Sequence, residues 1–560
     1  MRVNFNYEAS STHTAYLTNQ REMGKSLLRL STGMRILEAA DDAAGLFIAD
    51  QLSIVATGLQ EGNRNIATGI SALKIAENAS GQIFERLRGI YSRAVRAAND
   101  INDPNARTSL QREVANLTDA IQKIGTDTEY NGMRLLDGTF QNKYIHYGAR
   151  MDQVVNVSVS DVRAQNLGAY IAQGQGATRT TAGTFTSGGT LANLLGTNGA
   201  LGDAASGNFR LDGPDYVRIN GKTVYQHSGT NQLVDAATLA RNINNDADLR
   251  AIGIEAKAVN TSTANAYNTS GTGAVVTATA SGTNNKSATI DLNFYIGDGT
   301  KTFTINGFAS VNATGTSATA TAISLDELVS KINSAAATAN APITAINDGG
   351  RLKLLTNNGE TIAIEARVSG TIPADNSITV NIDYRQLLED ASGTAISHTV
   401  DNSNSTRYSA AVKVGRVAIA ANESFNFTYN GVSDNGVPTS DEGFNFDIAT
   451  GASTPFSNLY SIDLSTNAGA ERAMMIVSKA LQKVDTLRSQ IGAVMNNLQS
   501  IFDAQKVSYD NTKQAESVIR NTDYAEEMTN FTTLQIKMQS TMAMLAQSNA
   551  LPQMVLQLLR

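Results

Sequence analysis

The chain contains no cysteine and no tryptophan in its 560 residues. Without thiols it forms no disulfide bonds and offers no thiolate ligands to a metal. Its four histidines, His13, His146, His227 and His398, lie far apart, and neither His227 nor His398 has a second histidine near enough for a His-Glu-x-x-His zinc motif. Nucleophile-elbow and phosphate-loop motifs are also missing. We therefore expect no catalytic residues, no cofactor and no metal site.

An excess of basic residues and a long apolar run are absent too. Lysine and arginine total 44 against 51 acidic residues, a formal charge of −7, and the basic residues are dispersed. This distribution lacks the positive footprint of a nucleic-acid-binding protein. No run of 18 apolar residues occurs, and residues 1–8 lack the apolar core of a cleavable secretory signal. Neither nucleic acid nor membrane is an expected partner, and a secreted chain would need another export route.

What the sequence does have is the apolar repeat of long helices at both ends. Near the C-terminus, apolar residues alternate in steps of three and four over about four heptads, which predicts a coiled-coil helix over 468–512. Toward the N-terminus, Asp103 as N-cap, Pro104 at the first helical position and Gly125 as a stop predict a hairpin of helices 66–99 and 105–124. The predicted packing seam consists of Leu73, Leu87, Leu117, Leu481, Ile491 and Leu498.

The extreme ends are amphipathic but have few neighbours to pack against. Their apolar stripes are Leu27, Leu30, Met34 and Leu37 on one side, and Phe531, Leu534, Met538, Met542 and Leu545 on the other. Ordering about 80 such residues costs on the order of 120 kcal/mol of conformational entropy, at about 1.5 kcal/mol each. Two lone helices cannot offset this by burying apolar surface at roughly 25 cal/mol per Å². We expect these ends to be disordered in the monomer and to order as a polymerisation core when copies pack together. An ordinary core is the alternative.

The middle of the chain is rich in threonine, serine, glycine and asparagine and predicts β structure with an internal repeat. A strand ending at Asn220-Gly221 precedes a short helix, and a second strand ending at Asn306-Gly307 precedes another. Each Asn-Gly pair predicts a hairpin turn. A further Asn-Gly pair, at 358–359, predicts a hairpin between strands 352–354 and 362–364.

Together these patterns predict an α+β protein: a long coiled-coil-like helical bundle formed by both chain ends, with an inserted β-rich outer region. The ends must pair around the middle, which loops out as an inserted body. The predicted parts are 1–44 with 525–560 as inner core helices, 45–170 with 460–524 as a helical rod domain, 171–290 and 291–388 as two repeat modules, and 389–459 as a remaining β-rich segment.

Short motifs at both ends resemble those of bacterial flagellins. On the N-terminal side they are Leu-Ser-Thr-Gly-Met-Arg-Ile at 30–36, Asp-Asp-Ala-Ala-Gly-Leu at 41–46, Thr-Glu-Tyr-Asn-Gly at 128–132 and Leu-Leu-Asp-Gly at 135–138. On the C-terminal side they are Ile-Gly-Ala at 491–493, Asp-Tyr-Ala at 523–525, Leu-Ala-Gln at 545–547, Pro-Gln at 552–553 and Val-Leu at 555–556. The order and spacing match the family over about residues 1–170 and 460–560, and the repeated strand-and-helix unit resembles the "IN" modules of flagellins and hook-associated proteins.

The resemblance implies a structural subunit and no enzyme. Such a subunit is exported unfolded through the flagellar type III apparatus and polymerises outside the cell into the filament used for swimming. The implied partners are other copies of the chain, hook-associated and cap proteins, and a flagellar export chaperone. A hook–filament junction protein, which has similar ends, is the nearest alternative, and glycan-binding outer modules would add an adhesin role.

The resemblance also implies a patch for an innate immune receptor, which in many flagellins reads an arginine, a leucine and a glutamate. An ungapped alignment places Gly89 at the arginine, Arg93 at the leucine and Glu113 at the glutamate. A local shift of the alignment instead places Arg86 and Ile90 at the first two positions. We expect weak recognition, because each lost anchor at a hot spot typically costs more than about 1 kcal/mol.

Adjacent carboxylates at Asp41 and Asp42 are the remaining candidates for acid–base chemistry. On a helix, neighbouring side chains point about 100° apart and do not share a reaction centre. We expect these two residues to serve at a helix surface or an interface.

Overall fold

Long helices lie at both ends of the chain and strands fill its middle, which confirms the predicted α+β class. The computed structural model describes residues 6–99, 103–174, 176–181, 184–186, 188–195, 210–211, 216–226, 232–271, 273–391, 395–430 and 454–558. Its helices are α1 Tyr7–Thr32, α2 Ala43–Ala97, α3 Pro104–Asp127, α4 Leu191–Leu195, α5 Ala236–Asn245, α6 Ala247–Ala251, α7 Leu325–Ala339, α8 Asn467–Arg520 and α9 Tyr524–Leu558. Three-ten turns occur at Tyr384–Gln386 and Leu459–Ser461.

The strands are short in the first half of the chain and longer in the second. The first of them are β1 Glu129–Tyr130, β2 Met133–Arg134, β3 Lys143–His146, β4 Val154–Val157, β5 Gly168–Gln173, β6 Thr178–Thr180, β7 Arg210–Leu211, β8 Tyr216–Ile219, β9 Lys222–Gln226, β10 Gln232–Leu233, β11 Glu255–Val259 and β12 Thr261–Ala266. The others are β13 Val276–Ser281, β14 Lys286–Ile296, β15 Lys301–Thr314, β16 Ser317–Ala322, β17 Ile343–Asn347, β18 Arg351–Thr356, β19 Ile362–Thr371, β20 Ser377–Ile382, β21 Ile396–Asp401, β22 Thr406–Lys413, β23 Arg416–Ala421, β24 Phe427–Asn430 and β25 Phe456–Asn458.

The predicted long helices are confirmed, and they run further than the sequence patterns indicated. The helix predicted to begin at residue 66 begins at Ala43, and α8 continues past residue 512 to Arg520. At the start of α3, Asp103 Oδ1 accepts a hydrogen bond from the Ala106 N–H at 2.6 Å, as an N-cap does. Gly125 does not stop α3, which ends two residues later at Asp127.

The chain divides into two compact units. The first holds Met1–Ile83, Lys123–Val162 and Asp485–Arg560, and the second holds Phe84–Gln122 and Arg163–Val484. In the first unit, the hairpin of β3 and β4 packs closely on α2. Gly62 and Gly69 of α2 permit this approach, because a side-chain carbon at Gly62 would overlap the Tyr147 carbonyl and one at Gly69 would overlap Ile145.

A six-stranded antiparallel sheet, in the order β16-β15-β14-β19-β22-β6, forms the centre of the second unit. Its side chains alternate between two apolar cores, as the two-residue period of a strand requires. On β19, Ile362 and Ile364 enter a core shared with α7, whereas Ala363 enters a core shared with α5. The other sheets of this unit have the orders β11-β23-β5-β25, β12-β18-β17, β13-β20-β21 and β24-β8-β9, and β7 pairs with β10.

The predicted internal repeat is visible as two matching contacts between a helix and the next strand. In the first repeat, Asn244 Nδ2 donates to the Ala256 carbonyl at 2.7 Å, and the Ala256 N–H donates to Asn244 Oδ1 at 2.8 Å. In the second, Asn333 Nδ2 donates to the Ala345 carbonyl at 2.9 Å, and the Ala345 N–H donates to Asn333 Oδ1 at 2.8 Å. Each asparagine therefore joins its helix to a strand residue twelve positions further on.

Of the Asn-Gly turns predicted, only the first is a hairpin. Asn220 and Gly221 have φ of 51° and 80° and connect β8 to β9. The turn predicted at Asn306-Gly307 is wrong: β15 continues through it, and Gly307, with φ of 64°, lies in a bulge where its N–H donates to Asp291 Oδ1 at 2.8 Å. The predicted hairpin of 352–354 with 362–364 is also wrong, because β18 pairs with β12 and β17 whereas β19 pairs with β14 and β22.

Five of the six predicted domain boundaries fall inside regular elements. Those at 44/45, 170/171, 290/291, 459/460 and 524/525 lie within α2, β5, β14, the turn Leu459–Ser461 and α9. Because β14 is paired along its length with both β15 and β19, residues 171–290 and 291–388 do not separate into two bodies at that point. The division of the chain into the predicted domains otherwise remains a prediction.

Candidate assembly surface

The first unit brings the two ends of the chain together around the end of α1. Gly33 terminates α1 in the left-handed conformation, with φ of 71°, and its N–H donates to the Arg29 carbonyl at 2.8 Å. Beyond it, the Thr522 N–H donates to the Gly33 carbonyl at 2.9 Å, and the Arg35 N–H donates to the Arg520 carbonyl at 2.7 Å. The segment after α1 is thus fixed by backbone bonds to the segment between α8 and α9.

The Asp41-Asp42 pair organises the turn before α2. Asp41 accepts from Lys25 Nζ at 3.2 Å and from the Leu37 N–H at 3.2 Å, and the hydrogen bond from Lys25 is the main reason that the pKa of Asp41 is lowered. Asp42 Oδ1 accepts from the Gly45 N–H at 2.9 Å and so caps the start of α2. The two residues precede the helix instead of lying on it, which corrects the helix-surface placement, and they have separate partners.

Helices α1 and α9 run antiparallel and contact each other along their length. Asn6 caps α1 by accepting from the Ala9 N–H at 3.1 Å, and its Nδ2 donates to the Ser548 carbonyl at 3.0 Å near the other end of α9. Within the described side chains of these two helices, the fully buried ones are Ser26, Glu527 and Ser548. No large apolar side chain among them is fully buried, so this pair of helices has no core of its own.

The predicted polymerisation stripes lie partly between α1 and α9 and partly on their outer faces. Leu30, Phe531, Leu534, Met538 and Leu545 are half-buried. Leu27 and Met542 are 57% and 54% exposed. Met34 and Leu37 do not extend the stripe of α1 as predicted, because α1 ends at Thr32 and Gly33 redirects the chain.

Several exposed apolar residues of this unit were missed by the sequence patterns. Phe47 and Ile536 are each 66% exposed, and Leu28, Ile48, Ile54 and Met544 are exposed as well. We call these six residues, together with Leu27 and Met542, the terminal surface. Periodicity pointed only to the α9 face that meets α1, whereas α9 carries apolar residues all round, the pattern of a helix covered on every side.

The sequence predicts no segment that resembles a membrane span, and the apolar start of α2 differs from that prediction. Among the described helices, α2 alone contains an 18-residue stretch, with mean hydropathy 1.2, that could cross a membrane by length and composition. Only 11% of that stretch is buried within the chain. Most of this stretch is therefore not buried by the chain itself.

The predicted seam of the longer helices lies largely inside. Leu73, Leu87, Ile491 and Leu498 are buried, whereas Leu117 and Leu481 are half-buried. A lysine that the pattern did not single out, Lys479, is also buried in α8, where its Nζ lies 2.9 Å from Glu255 Oε2 of β11.

At the predicted receptor patch, Arg93 contacts both of the other residues. Arg93 Nε lies 2.5 Å from Glu113 Oε2, and Arg93 Nη1 donates to the Gly89 carbonyl at 3.1 Å. Glu113 is therefore already engaged by a cation within its own chain.

Among the described residues, no group of three or more histidine, aspartate or glutamate side chains is arranged to hold a metal.

Comparison with known proteins identifies the family. Residues 3–141 match the model of the bacterial flagellin N-terminal helical region, and residues 474–559 match that of the C-terminal helical region. A flagellin of Aquifex pyrophilus is 46% identical over all of this chain and 99% of its own length. The chain belongs to the flagellin family. A flagellin of Aquifex aeolicus is 43% identical over all of this chain and 99% of its own length.

As a flagellin, the chain is a structural subunit of the extracellular bacterial flagellar filament. The terminal surface thus belongs to a protein whose working form is a polymer of many copies. The junction-protein alternative is not better supported than the filament subunit.

Solved flagellar structures add little at the level of overall superposition. FliC of Burkholderia pseudomallei is 13% identical, with a TM-score of 0.26, over 77% of this chain and 99% of its own. The junction protein FlgL of Legionella pneumophila is 9% identical, with a TM-score of 0.29, over 84% of this chain and 99% of its own. Scores this low do not bear on the function.

Proposed function

We propose that the terminal surface is the polymerisation surface of this flagellin, buried by neighbouring copies in the filament. The observation that carries the proposal is that α1 and α9, in their described parts, fully bury no large apolar side chain. Monomeric proteins rarely leave such a patch uncovered, and a patch of this kind marks an interaction site. The start of α2, in the same unit, also exposes apolar side chains, namely Phe47, Ile48 and Ile54.

Energetics favour many neighbours over one. Fully burying a large apolar side chain is worth roughly 1.5–3 kcal/mol, so each half-exposed member of the terminal surface would gain about 1 kcal/mol on coverage. The residues point away from more than one side of α9, and a single partner helix covers only one side. Interfaces that differ on the two partners let subunits add without closing a ring, as a helical filament requires.

The same surface would require partners before assembly and at the ends of the filament. An export chaperone that shields the apolar ends, and hook-associated and cap proteins that present matching helices, fit its chemistry. We further propose that the chain passes through the flagellar export apparatus unfolded and that its role is mechanical with no catalysis.

Seeded filament growth tests the proposal. Leu27→Asn, Ile536→Asn and Met542→Asn each place an amide where an apolar side chain is to be buried. Each should raise the monomer concentration needed for elongation by about tenfold, which corresponds to about 1.4 kcal/mol per interface.

Matched controls are available in the β-rich part of the chain. Ile252→Asn and Ile346→Asn change residues that are 43% and 44% exposed, so they remove a similar apolar surface away from the chain ends. Filament growth of these variants from seeds, followed by negative-stain electron microscopy, should match that of the parent chain. Equal loss in both sets, or none in the terminal set, would contradict the proposal.

We also propose that innate-receptor recognition of this flagellin is weak. Gly89 offers no side chain, and Arg93 forms an ion pair with Glu113. Arg93→Leu should free Glu113 and restore an apolar anchor, and Gly89→Arg should restore a cationic one. Together they should raise potency in a cell reporter assay by about tenfold or more. Full potency of the parent chain, or no gain in potency in the double variant, would contradict weak recognition.

A further inference from the structure

A groove of about 780 Å³, with charged and amide side chains in its lining, lies in the second unit where the two repeats meet. Its lining includes Arg241 of α5, Lys257 of β11 and Lys301 at the start of β15, facing Asn340 after α7 and Asn357 after β18. The volume is within the roughly 300–1,000 Å³ of ligand sites. The groove lies outside the terminal surface and has no part in the assembly proposed above.

The cationic side chains of the groove are exposed and have donors to spare. Lys257 and Lys301 make no side-chain hydrogen bond or ion pair with any residue that the structure describes. Arg241 donates one hydrogen bond, from Nη2 to Thr238 Oγ1 at 3.0 Å, which leaves most of its guanidinium donors available.

The acidic side chains of the groove, in contrast, are occupied by local donors. Asp235 caps α5 by accepting from the Thr238 N–H at 2.9 Å and also accepts from the Thr361 N–H at 2.9 Å. Glu360 accepts from the Asn358 N–H at 2.8 Å and from its Nδ2 at 3.0 Å.

Asp298, the remaining acid of the groove, accepts from the Thr300 N–H at 3.1 Å and from its Oγ1 at 2.6 Å. The lining therefore holds three carboxylates and three cations, and the cations are the exposed ones with unused donors. A ligand rich in acceptors, including anionic ones, fits those donors.

Further cations lie beyond the groove. Lys257 also lines a smaller cavity, together with Arg416, Arg472 and the acidic Glu471. On the paired strands β11 and β23, Val259 lies opposite Arg416, and Lys257 is two residues from Val259, so Lys257 and Arg416 share a face of the sheet. These two cations are therefore available to a ligand that extends past the groove.

We propose that the groove binds an acidic polysaccharide, whose uronate carboxylates pair with Lys257, Lys301 and Arg241. The amides of Asn340 and Asn357 offer both donors and acceptors to the sugar hydroxyls. The described lining residues include no aromatic side chain, so they offer no platform on which the bases of a single-stranded nucleic acid could stack. Repetition along the filament makes a weak site effective, since multivalency raises avidity by about 10²–10⁴.

Co-sedimentation of filaments with labelled polygalacturonate tests this inference, with neutral dextran and single-stranded DNA as comparison probes. Filaments polymerised from the intact chain should bind polygalacturonate, and binding should be lost near 1 M salt, where the Debye length is about 3 Å. The variant Arg241→Gln, Lys257→Gln, Lys301→Gln should bind about tenfold or more weakly, because charge-assisted hydrogen bonds are lost.

The matched control is Lys331→Gln, Arg351→Gln, Lys353→Gln, which removes the same charge from α7 and β18 outside the groove. Both variants must first form filaments of normal appearance in the electron microscope, which the placement of their changes away from the chain ends predicts. Polygalacturonate binding lost in the groove variant and kept in the control supports the inference. Equal effects in both variants, no effect in either, or preference for dextran or DNA overturns it.

Discussion

At the scale of single residues, two asparagines connect helices to strands in the β-rich part of the chain. Asn244 and Asn333 each satisfy both the N–H and the carbonyl of a strand residue, and Ala345 at the second contact is buried. Because a buried backbone group without a partner loses its bonds to water as well, these side chains are worth more than their two hydrogen bonds alone.

Asn333→Ala tests that role. It should lower the free energy of unfolding of the β-rich part by about 2–4 kcal/mol, because it leaves the Ala345 N–H and carbonyl without their partner. Ser334→Ala, at the exposed next position of α7, should change stability by less than about 0.5 kcal/mol. Urea unfolding of the soluble monomer measures both, and a pair of variants with equal stability would contradict the role given to Asn333.

Residue-level signals in the sequence revealed the repeat but not its strand pairing. The recurring Ile-Asn within a helix is readable because its partner strand lies only twelve residues ahead. An Asn-Gly pair is ambiguous, since glycine in the left-handed conformation serves both the turn at Gly221 and the bulge at Gly307. The pairing of β14 with β19 joins residues far apart in sequence, which no local pattern encodes.

At the scale of elements, the end of α1 is set by one glycine. Gly33 has φ of 71°, and a side-chain carbon there would lie 3.0 Å from Tyr524 Oη of α9. An L-residue in that conformation costs about 1–2 kcal/mol. The end of α1 and its contact with α9 therefore depend on the same residue.

Gly33→Ala should loosen α1 in the filament, where we expect the helix to be ordered. Trypsin cleavage of filaments within α1, at Arg21, Lys25 and Arg29, should accelerate about tenfold, because proteolysis follows the population of the opened helix. Gly24→Ala is the matched control, since Gly24 lies inside α1 with no atom within 4 Å of the added carbon, and it should slow cleavage or leave it unchanged. Similar acceleration in the two variants would contradict a specific role for the end of α1.

Element by element, the helices were predictable and their outer faces were not. The heptads of α8 and the caps of α3 are local signals, and the structure contains both helices. The exposed residues Ile536 and Met544 lay outside the predicted stripe because periodicity detects one apolar face, whereas α9 has several. A helix that several other copies cover has apolar residues on more than one face. Its sequence therefore shows no single apolar period.

At the scale of the whole molecule, we propose that the ends of the chain are incomplete until the protein polymerises. The first unit exposes the terminal surface, while the second unit contains two closed apolar cores around a six-stranded sheet. Because the two units differ in burial, we expect them to differ in stability before assembly. After assembly, the chain ends should gain stability and approach that of the second unit. The sequence expectation of disordered ends in the monomer belongs to this same prediction.

Hydrogen–deuterium exchange of monomer and filament, followed by mass spectrometry of peptides, tests the central claim most directly. Peptides from α1, the start of α2 and α9 should exchange rapidly in the monomer and become strongly protected in the filament, because neighbouring copies cover the terminal surface. Peptides from β14 and β19 should be protected equally in both states. Protection of α1 and α9 that is already complete in the monomer, or a gain confined to the β-rich part, would contradict the account.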